Sequence, residues 1–196
     1  METGTMTVSA FENAFVRQVS EAMVKAREAA IIAGTGTGQP KSIITETPPT
    51  GQAIEVSALD YNTLVNAEAA LPEAYETGAV WAMSKKTFMQ FVGMVDSNKQ
   101  PIARVNYGIG GKPERYLLGR EVVLTGDYLP NYDPAQSEKV FAFIFNFSDY
   151  VENIIYDMGI QRKQDWDTED LLTKAVMSVD GKVVDVNSLV TLSVGT

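Results

Sequence analysis

The chain has 196 residues, enough for one domain or two small ones, and a polypeptide of this length buries about 70% of its extended surface without covalent staples. It contains neither Cys nor His, which removes disulfides, thiolate nucleophiles, imidazole bases and ordinary zinc sites, and with them most familiar hydrolytic machinery. Sixteen basic against twenty-five acidic residues leave a net charge of −9, which disfavours non-specific adhesion to nucleic acid or to an anionic membrane.

Val8, Phe11, Phe15, Val19, Met23, Ala26 and Ala30 recur at three- and four-residue steps, which predicts one face of a long helix. Ser9 with Glu12 three residues later reads as its capping box. The helix runs into Gly34, Gly36 and Gly38, where Gly34 is expected to supply a left-handed C-terminal residue and Pro40 to prevent resumption. Lys41 to Val56 reads as an extended connector with room for one short strand. Ser57 is expected to begin a second helix with Leu59, Leu64, Ala67 and Leu71 on one face and Pro72 at its end or at a kink. Ala79 to Met83 reads as a short strand. Ser84 then caps a third helix whose inner face is Phe88, Phe91, Val92 and Val95, ending near the Asp96-Ser97-Asn98 turn.

From Gln100 to Lys112 the glycines Gly108, Gly110 and Gly111, with Pro113 following, predict an exposed loop before a strand from Leu117 to Thr125. In Val140 to Phe147 the aromatics Phe141, Phe143, Phe145 and Phe147 alternate with Val140, Ala142, Ile144 and Asn146, as in a strand buried on both sides with one aromatic face. That stretch is far shorter than the roughly 20 residues needed to span a bilayer, and no signal-like start precedes the first helix, so the expectation is a soluble cytoplasmic protein without a membrane partner. Asp180-Gly181 has the chemistry of a two-residue hairpin turn, which would set Met177 opposite Val184 and Ala175 opposite Val186. Helices and antiparallel strands are segregated rather than alternating, which indicates an α+β fold.

Few constellations suggest chemistry. Gly34 to Gly38 followed by Lys41-Ser42 evokes a phosphate loop, but a true one needs Gly where Pro40 and Thr35 stand, and a strand rather than a helix before it. Asp165, Asp167 and Glu169 are spaced like the start of a calcium loop, yet Asp170 and Val176 occupy the positions of its obligatory Gly and Glu. Asp149, Glu152 and Asp157 offer paired carboxylates without an acid–base context. Tyr150, Tyr156 and the aromatic strand lack the cationic groove of a base-stacking platform. No catalytic, metal or cofactor residue is predicted.

Taken in order, several landmarks resemble the major capsid protein of tailed bacteriophages, the Hong Kong 97 fold. The long helix ending in Ala29 to Gly34 and then Gly36-Thr-Gly-Gln-Pro40 resembles that family's spine helix and glycine turn. Ala79-Val-Trp-Ala-Met-Ser84 and Leu118-Gly119-Arg-Glu-Val-Val123 resemble the core of its axial domain. Phe145-Asn-Phe-Ser-Asp-Tyr150 is similar to its Gly-Asp-Phe-type strand start, with Asn146 where Gly is common. Val179-Asp-Gly-Lys-Val183 before Leu189 to Val194 resembles the returning strands of its peripheral domain.

The resemblance implies an α+β capsid fold with a long spine helix, a peripheral antiparallel sheet and an axial mixed α/β domain. It implies residues 1–40 as spine helix and glycine turn, 41–160 as the axial domain and 161–196 as returning peripheral strands. The family's N-terminal arm and extended loop have no counterpart before the helix, so the chain resembles a truncated subunit. The implied function is that of a structural shell subunit of a phage or prophage capsid, not an enzyme, self-associating into capsomers. Its implied partners are copies of itself or full-length capsid protein, with scaffold and portal proteins as further candidates and no sequence-specific nucleic acid. Its implied location is the virion capsid, assembled in the bacterial host cytoplasm. Arg104, Tyr107, Gly110, Gly111, Lys112, Glu114 and Arg115 would form the subunit-contact loop at the five- or six-fold axis. Alternatives are a nanocompartment shell, a capsid-assembly interference protein and, more remotely, a phosphate- or nucleotide-binding enzyme.

Overall fold

In the computed structural model, which describes residues 8–95, 100, 104–106, 114–164 and 171–195, the helical periodicity of the N-terminal stretch becomes α1, Val8–Ala33. Its 26 residues span about 39 Å at 1.5 Å per residue. Ser9 lies inside α1, so it is not the N-cap that its spacing to Glu12 suggested. No residue from Asn13 to Ala29 is buried, whereas Ala30 and Ile32 are, so the helix is anchored through its last turns.

Gly34 ends the helix for a different reason from the expected one. Its φ is not positive; instead, a Cβ at this position would lie 2.4 Å from the Pro40 carbonyl oxygen and 2.5 Å from that of Ala30. The chain doubles back so tightly, with Ser42 N–H donating to Gly34 O at 3.1 Å, that only hydrogen fits. The left-handed residues of the turn are Gly36 and Gly38.

Two sheets follow. The larger has seven strands in the order β1-β9-β6-β2-β5-β4-β3: β1 (Ala53–Val56), β2 (Val80–Met83), β3 (Arg104–Asn106), β4 (Glu114–Leu117), β5 (Arg120–Leu124), β6 (Val140–Phe145) and β9 (Val190–Val194). The β1–β9 and β2–β5 pairs are parallel and the others antiparallel. The smaller is a two-stranded ribbon, β7 (Tyr150–Gln164) with β8 (Leu171–Val183).

One face of the larger sheet is covered by α2 (Tyr61–Ala70) and α3 (Lys85–Val92), whose Leu64, Ala67, Phe88 and Phe91 pack with Trp81, Met83 and Ile144. The second face carries Ala82, Phe143 and Phe145 beneath Ile32, Ile43, Leu129 and Leu189. β6 is therefore buried on both sides, as its unbroken apolar run requires. Its aromatics are not all on one face, however. A register shift between Val140 and Ala142 puts Phe141 with the first cluster, edge-on to Tyr132 at 5.0 Å, while Phe143 and Phe145 stay in the second.

Several element boundaries move because side chains compete for the caps. α2 starts at Tyr61, not Ser57, because Asp60 accepts from Thr63 N–H at 2.8 Å and Thr63 Oγ1 accepts from Asp60 N–H at 3.4 Å. Ser84 caps α3 as its position suggested, accepting from Thr87 N–H at 3.2 Å. That helix stops at Gly93, leaving Val95 exposed outside it; the Asp96-Ser97-Asn98 turn is outside the described residues. The single strand expected from Leu117 to Thr125 is split into β4 and β5 by a turn at Leu118-Gly119, where both φ values are positive (49° and 86°).

The expected hairpin at Asp180-Gly181 does not form. β8 passes straight through it, with Asp180 opposite Asn153 and Gly181 opposite Glu152. Ala175 pairs with Ile160 rather than Val186, and Met177 sits at an irregularity where β7 carries extra residues. Gly181 serves close approach instead: a Cβ there would lie 2.6 Å from the Tyr150 hydroxyl. Pairing along the whole length of β7 outweighs a local turn preference.

Candidate functional site

The loop singled out by the sequence springs from the free end of the larger sheet. Arg104 pairs with Tyr116, Val105 with Arg115 and Asn106 with Glu114, so β3 and β4 are the two legs of an edge hairpin. Of the expected contact residues, Arg104, Glu114 and Arg115 lie on these legs, Arg115 partly buried and with an interaction partner. Tyr107, Gly110, Gly111 and Lys112 are outside the described residues.

What fixes this hairpin is a polar knot that sequence reasoning missed. Arg120, the first residue of β5, directs Nε to Glu68 Oε1 at 3.0 Å and an η nitrogen to Glu68 Oε2 at 2.9 Å. Its other η nitrogen donates to the carbonyl oxygens of Glu76 and Ala79 at 2.8 and 2.9 Å. Glu68 Oε1 also accepts from the Trp81 indole at 2.9 Å. A fork facing a carboxylate, with its remaining donors on carbonyls, fixes direction as well as distance, tying α2 and β2 to the root of the β4–β5 turn. Its only sequence signal was the charged pair Arg120-Glu121 at the start of an otherwise strand-like stretch.

A second set of polar contacts holds α1 and the ribbon together. Arg27 makes a forked ion pair with Glu152, whose hydrogen bond raises the guanidinium pKa. Tyr150 donates to Lys41 O at 3.1 Å, and burial, with Glu152 and Asp180 nearby, pushes its phenol up to about 12. Lys41 N–H in turn donates to Gly181 O at 2.8 Å, so the glycine turn, β7 and β8 meet at one place. Tyr75 donates to Asp185 Oδ2 at 2.8 Å; that bond raises the phenol, while the Asn187 backbone N–H and then Tyr75 lower the carboxylate.

The carboxylates considered for acid–base work are engaged separately. Asp149 accepts from Ser188 Oγ at 2.6 Å, Glu152 is held by Arg27, and Asp157 accepts from Met158 N–H at 2.7 Å. Among the described residues no three acidic side chains cluster as a metal site would need, and the Asp165–Asp170 stretch is outside them. Among those residues, too, no helix is long and apolar enough to cross a membrane.

A family model described as the phage capsid family matches residues 5–194. Among solved structures, the capsid of an empty GTA particle superposes with a TM-score of 0.81 at 19% identity, covering 94% of this chain and 66% of that one. The Gordonia phage Cozz structure gives 0.63 at 14% identity, over 96% and 65%. The holo-SrpI encapsulin complex from Synechococcus elongatus PCC 7942 gives 0.69 at 10%, over 98% and 68%. The chain thus spans about two thirds of the length of these subunits, and at such identities the likeness establishes the fold, the α+β capsid class expected from the sequence. A comparison with curated proteins returns no significant match. With a family model covering nearly its whole length, the chain belongs to the phage capsid family.

Proposed function

We propose that the chain is a structural shell subunit of a phage or prophage capsid, one that self-associates into capsomers. The observation that carries this reading is the family match over residues 5–194, on a fold that superposes on a capsid subunit across 94% of the chain. Shell subunits act through surfaces, and a ring about a five- or six-fold axis is built from heterologous contacts in which one patch meets a different patch. The edge hairpin suits that task. Its β4 leg pairs with β5 and its root is held by the Arg120–Glu68 knot, while the sequence between its legs is rich in glycine and carries Lys112.

In this reading the spatial division of the subunit follows its sheets. The axial part comprises the seven-stranded sheet with α2 and α3, and it includes β9, which the sequence grouped with the peripheral strands. The peripheral part is α1 with the β7–β8 ribbon. Copies of the same chain are the principal partners, scaffold and portal proteins are further ones, and the destination is the virion capsid after assembly in the host cytoplasm. No catalytic step is assigned. The glycine run that evoked a phosphate loop is accounted for by backbone geometry at Gly34, Gly36 and Gly38.

The encapsulin likeness supports a second reading, a cargo-holding compartment on the same fold. Electron microscopy of particles formed by the protein, with measurement of their nucleic-acid content, separates the two. Particles or rings that package DNA support the capsid reading, protein-filled shells support the compartment, and a protein that never self-associates in its native context would refute both.

A further inference from the structure

Asp180-Gly181, which the fold does not use as a turn, is the sole place in the chain where Asp or Asn precedes Gly. Glycine leaves its own backbone nitrogen unshielded, because no Cβ stands beside it. A carboxyl two bonds from the preceding Cα is then free to be attacked by that nitrogen, closing a five-membered succinimide ring.

The ribbon brings the two groups together. In an antiparallel ladder a residue turns both its backbone groups towards its partner or both away. Gly181, opposite Glu152, turns them away: its carbonyl accepts from Lys41 N–H at 2.8 Å, and its N–H donates to Asp180 Oδ1 at 2.8 Å. The nitrogen therefore already touches the carboxyl, and no ladder bond has to break to release it. Asp180 is also exposed, so water reaches the site. Asp157 repeats the contact, accepting from Met158 N–H at 2.7 Å, but there a Met side chain crowds the nitrogen. What restrains Asp180 is its extended backbone, held by a short run of pairs from Tyr150 opposite Val183 to Ile154 opposite Val179. That run is bounded by the strand end and by the irregularity between Ile154 and Tyr156, so it can open locally while the rest of the fold stays closed.

We infer that Asp180-Gly181 is a site of spontaneous backbone isomerisation, at which local opening of the ribbon lets the Gly181 nitrogen attack Asp180 Cγ and residue 180 become isoaspartate. The carboxyl reacts in its protonated form. An N–Cγ bond forms, and the amide proton and the carboxyl hydroxyl leave as water, which gives the succinimide. Water then adds to the ring carbonyl that was the main-chain carbonyl of Asp180, and the original peptide C–N bond breaks. The chain now runs through Cβ and Cγ, and the former main-chain carbon is a free carboxylate. One water is lost and one regained, so the mass is unchanged and solvent is the only co-reactant. The added backbone carbon falls where the glycine turn, β7 and β8 meet. It displaces Gly181 from its place against the Tyr150 ring and from Lys41 N–H, loosening the joint between the ribbon and the turn that follows α1. The site thus records the age of the folded subunit, whether or not the subunit builds a shell.

The test is to age the purified, folded protein at neutral pH and physiological temperature, digest samples over time, and locate isoaspartate by electron-transfer fragmentation and by enzymatic methylation of isoaspartyl residues. Isoaspartate is expected to accumulate at residue 180 well ahead of residue 157, and a transient species lighter by one water to map to the same peptide. Asp180→Glu keeps the charge at an exposed position but would have to close a six-membered ring, so its signal should vanish. Tyr150→Phe removes the bond to Lys41 O beside the site, and should speed accumulation about fivefold by easing local opening. Isoaspartate at residue 180 no faster than at residue 157 would overturn the inference. So would a folded protein that stays unmodified while the same chain in denaturant isomerises, since the ladder would then block the reaction. A rate unchanged by Tyr150→Phe would contradict the local-opening route on which the inference depends.

Discussion

Replacing Gly34 by Ala tests whether the glycine turn is governed by crowding or by backbone handedness. The added methyl would sit 2.4 Å from Pro40 O and 2.5 Å from Ala30 O, against an ordinary contact of 3.4 Å or more. Both obstructing atoms are backbone, so no rotamer change relieves the clash. Forcing a methyl into a packed site costs about 1–3 kcal/mol. Displacing the segment that returns through Ser42 also weakens its N–H bond to Gly34 O, worth about 1 kcal/mol. The expected loss is therefore about 2–4 kcal/mol. Gly38→Ala is the matched control: φ is +68° but nothing lies within 4 Å of the added atom, so only the left-handed penalty of about 1 kcal/mol applies. Urea unfolding of the two variants beside wild type, compared at unchanged slope, reads the difference as a shift in midpoint. If Gly34→Ala costs no more than Gly38→Ala, the steric argument is wrong. Tight ATP or GTP binding abolished by Gly34→Ala would overturn the structural reading of the whole glycine run.

Arg120→Lys keeps the charge but loses the fork and a carbonyl contact, and should lower stability by about 2 kcal/mol in the same assay; a change below 0.5 kcal/mol would show that the knot is incidental. Tyr150 carries a pH signature: its phenol ionises near 10.0 when unfolded and at about 12 in the fold, so its contribution is complete below pH 10 and is lost as pH rises towards 12. Tyr75 and Tyr128, also raised, act in the same direction, so Tyr150→Phe should flatten the alkaline decline of the unfolding midpoint without abolishing it, and an unchanged slope would contradict the assignment. Cross-strand NMR contacts are expected between Asp180 and Asn153, and contacts between Ala175 and Val186 in their place would restore the rejected hairpin.

The sequence made visible those elements whose signals are local and uncontested. The helical period of α1, the Ser84 cap and the continuous apolar run of β6 each translated into the expected element, although the apolar face of α1 is buried only from Ala30 onward among the residues whose burial is described. Asp180-Gly181 misled because its turn chemistry is real, yet a partner strand arriving from Tyr150–Gln164 offered more hydrogen bonds than a two-residue turn. Gly34 was located correctly and explained wrongly, because the atoms that crowd it belong to Pro40, whose return path no local pattern reveals. Phe141 changed sides through one extra residue in a ladder, which alternation alone cannot foresee. The Arg120–Glu68 knot joins residues 52 positions apart and left almost no trace in either neighbourhood. The β3–β4 pairing at the sheet edge was not legible, since Gln100 to Lys112 reads only as an exposed loop and three-residue β3 carries no alternating pattern of its own.

The place of β9 bears on how the subunit comes into being during translation. It occupies the slot between β1 and β6, so among the described residues β1 has no strand to lie against until Val190–Val194 has been synthesised, more than 130 residues later. Until then the nascent chain carries an open gap flanked by two unpaired edges, one of them the wholly apolar Val140–Phe145. Such edges are templates for association with any other unfinished chain. β9 therefore acts as a wedge driven into the middle of the sheet: it joins β1 to β6, and a subunit that has received it no longer offers that open gap to other unfinished chains.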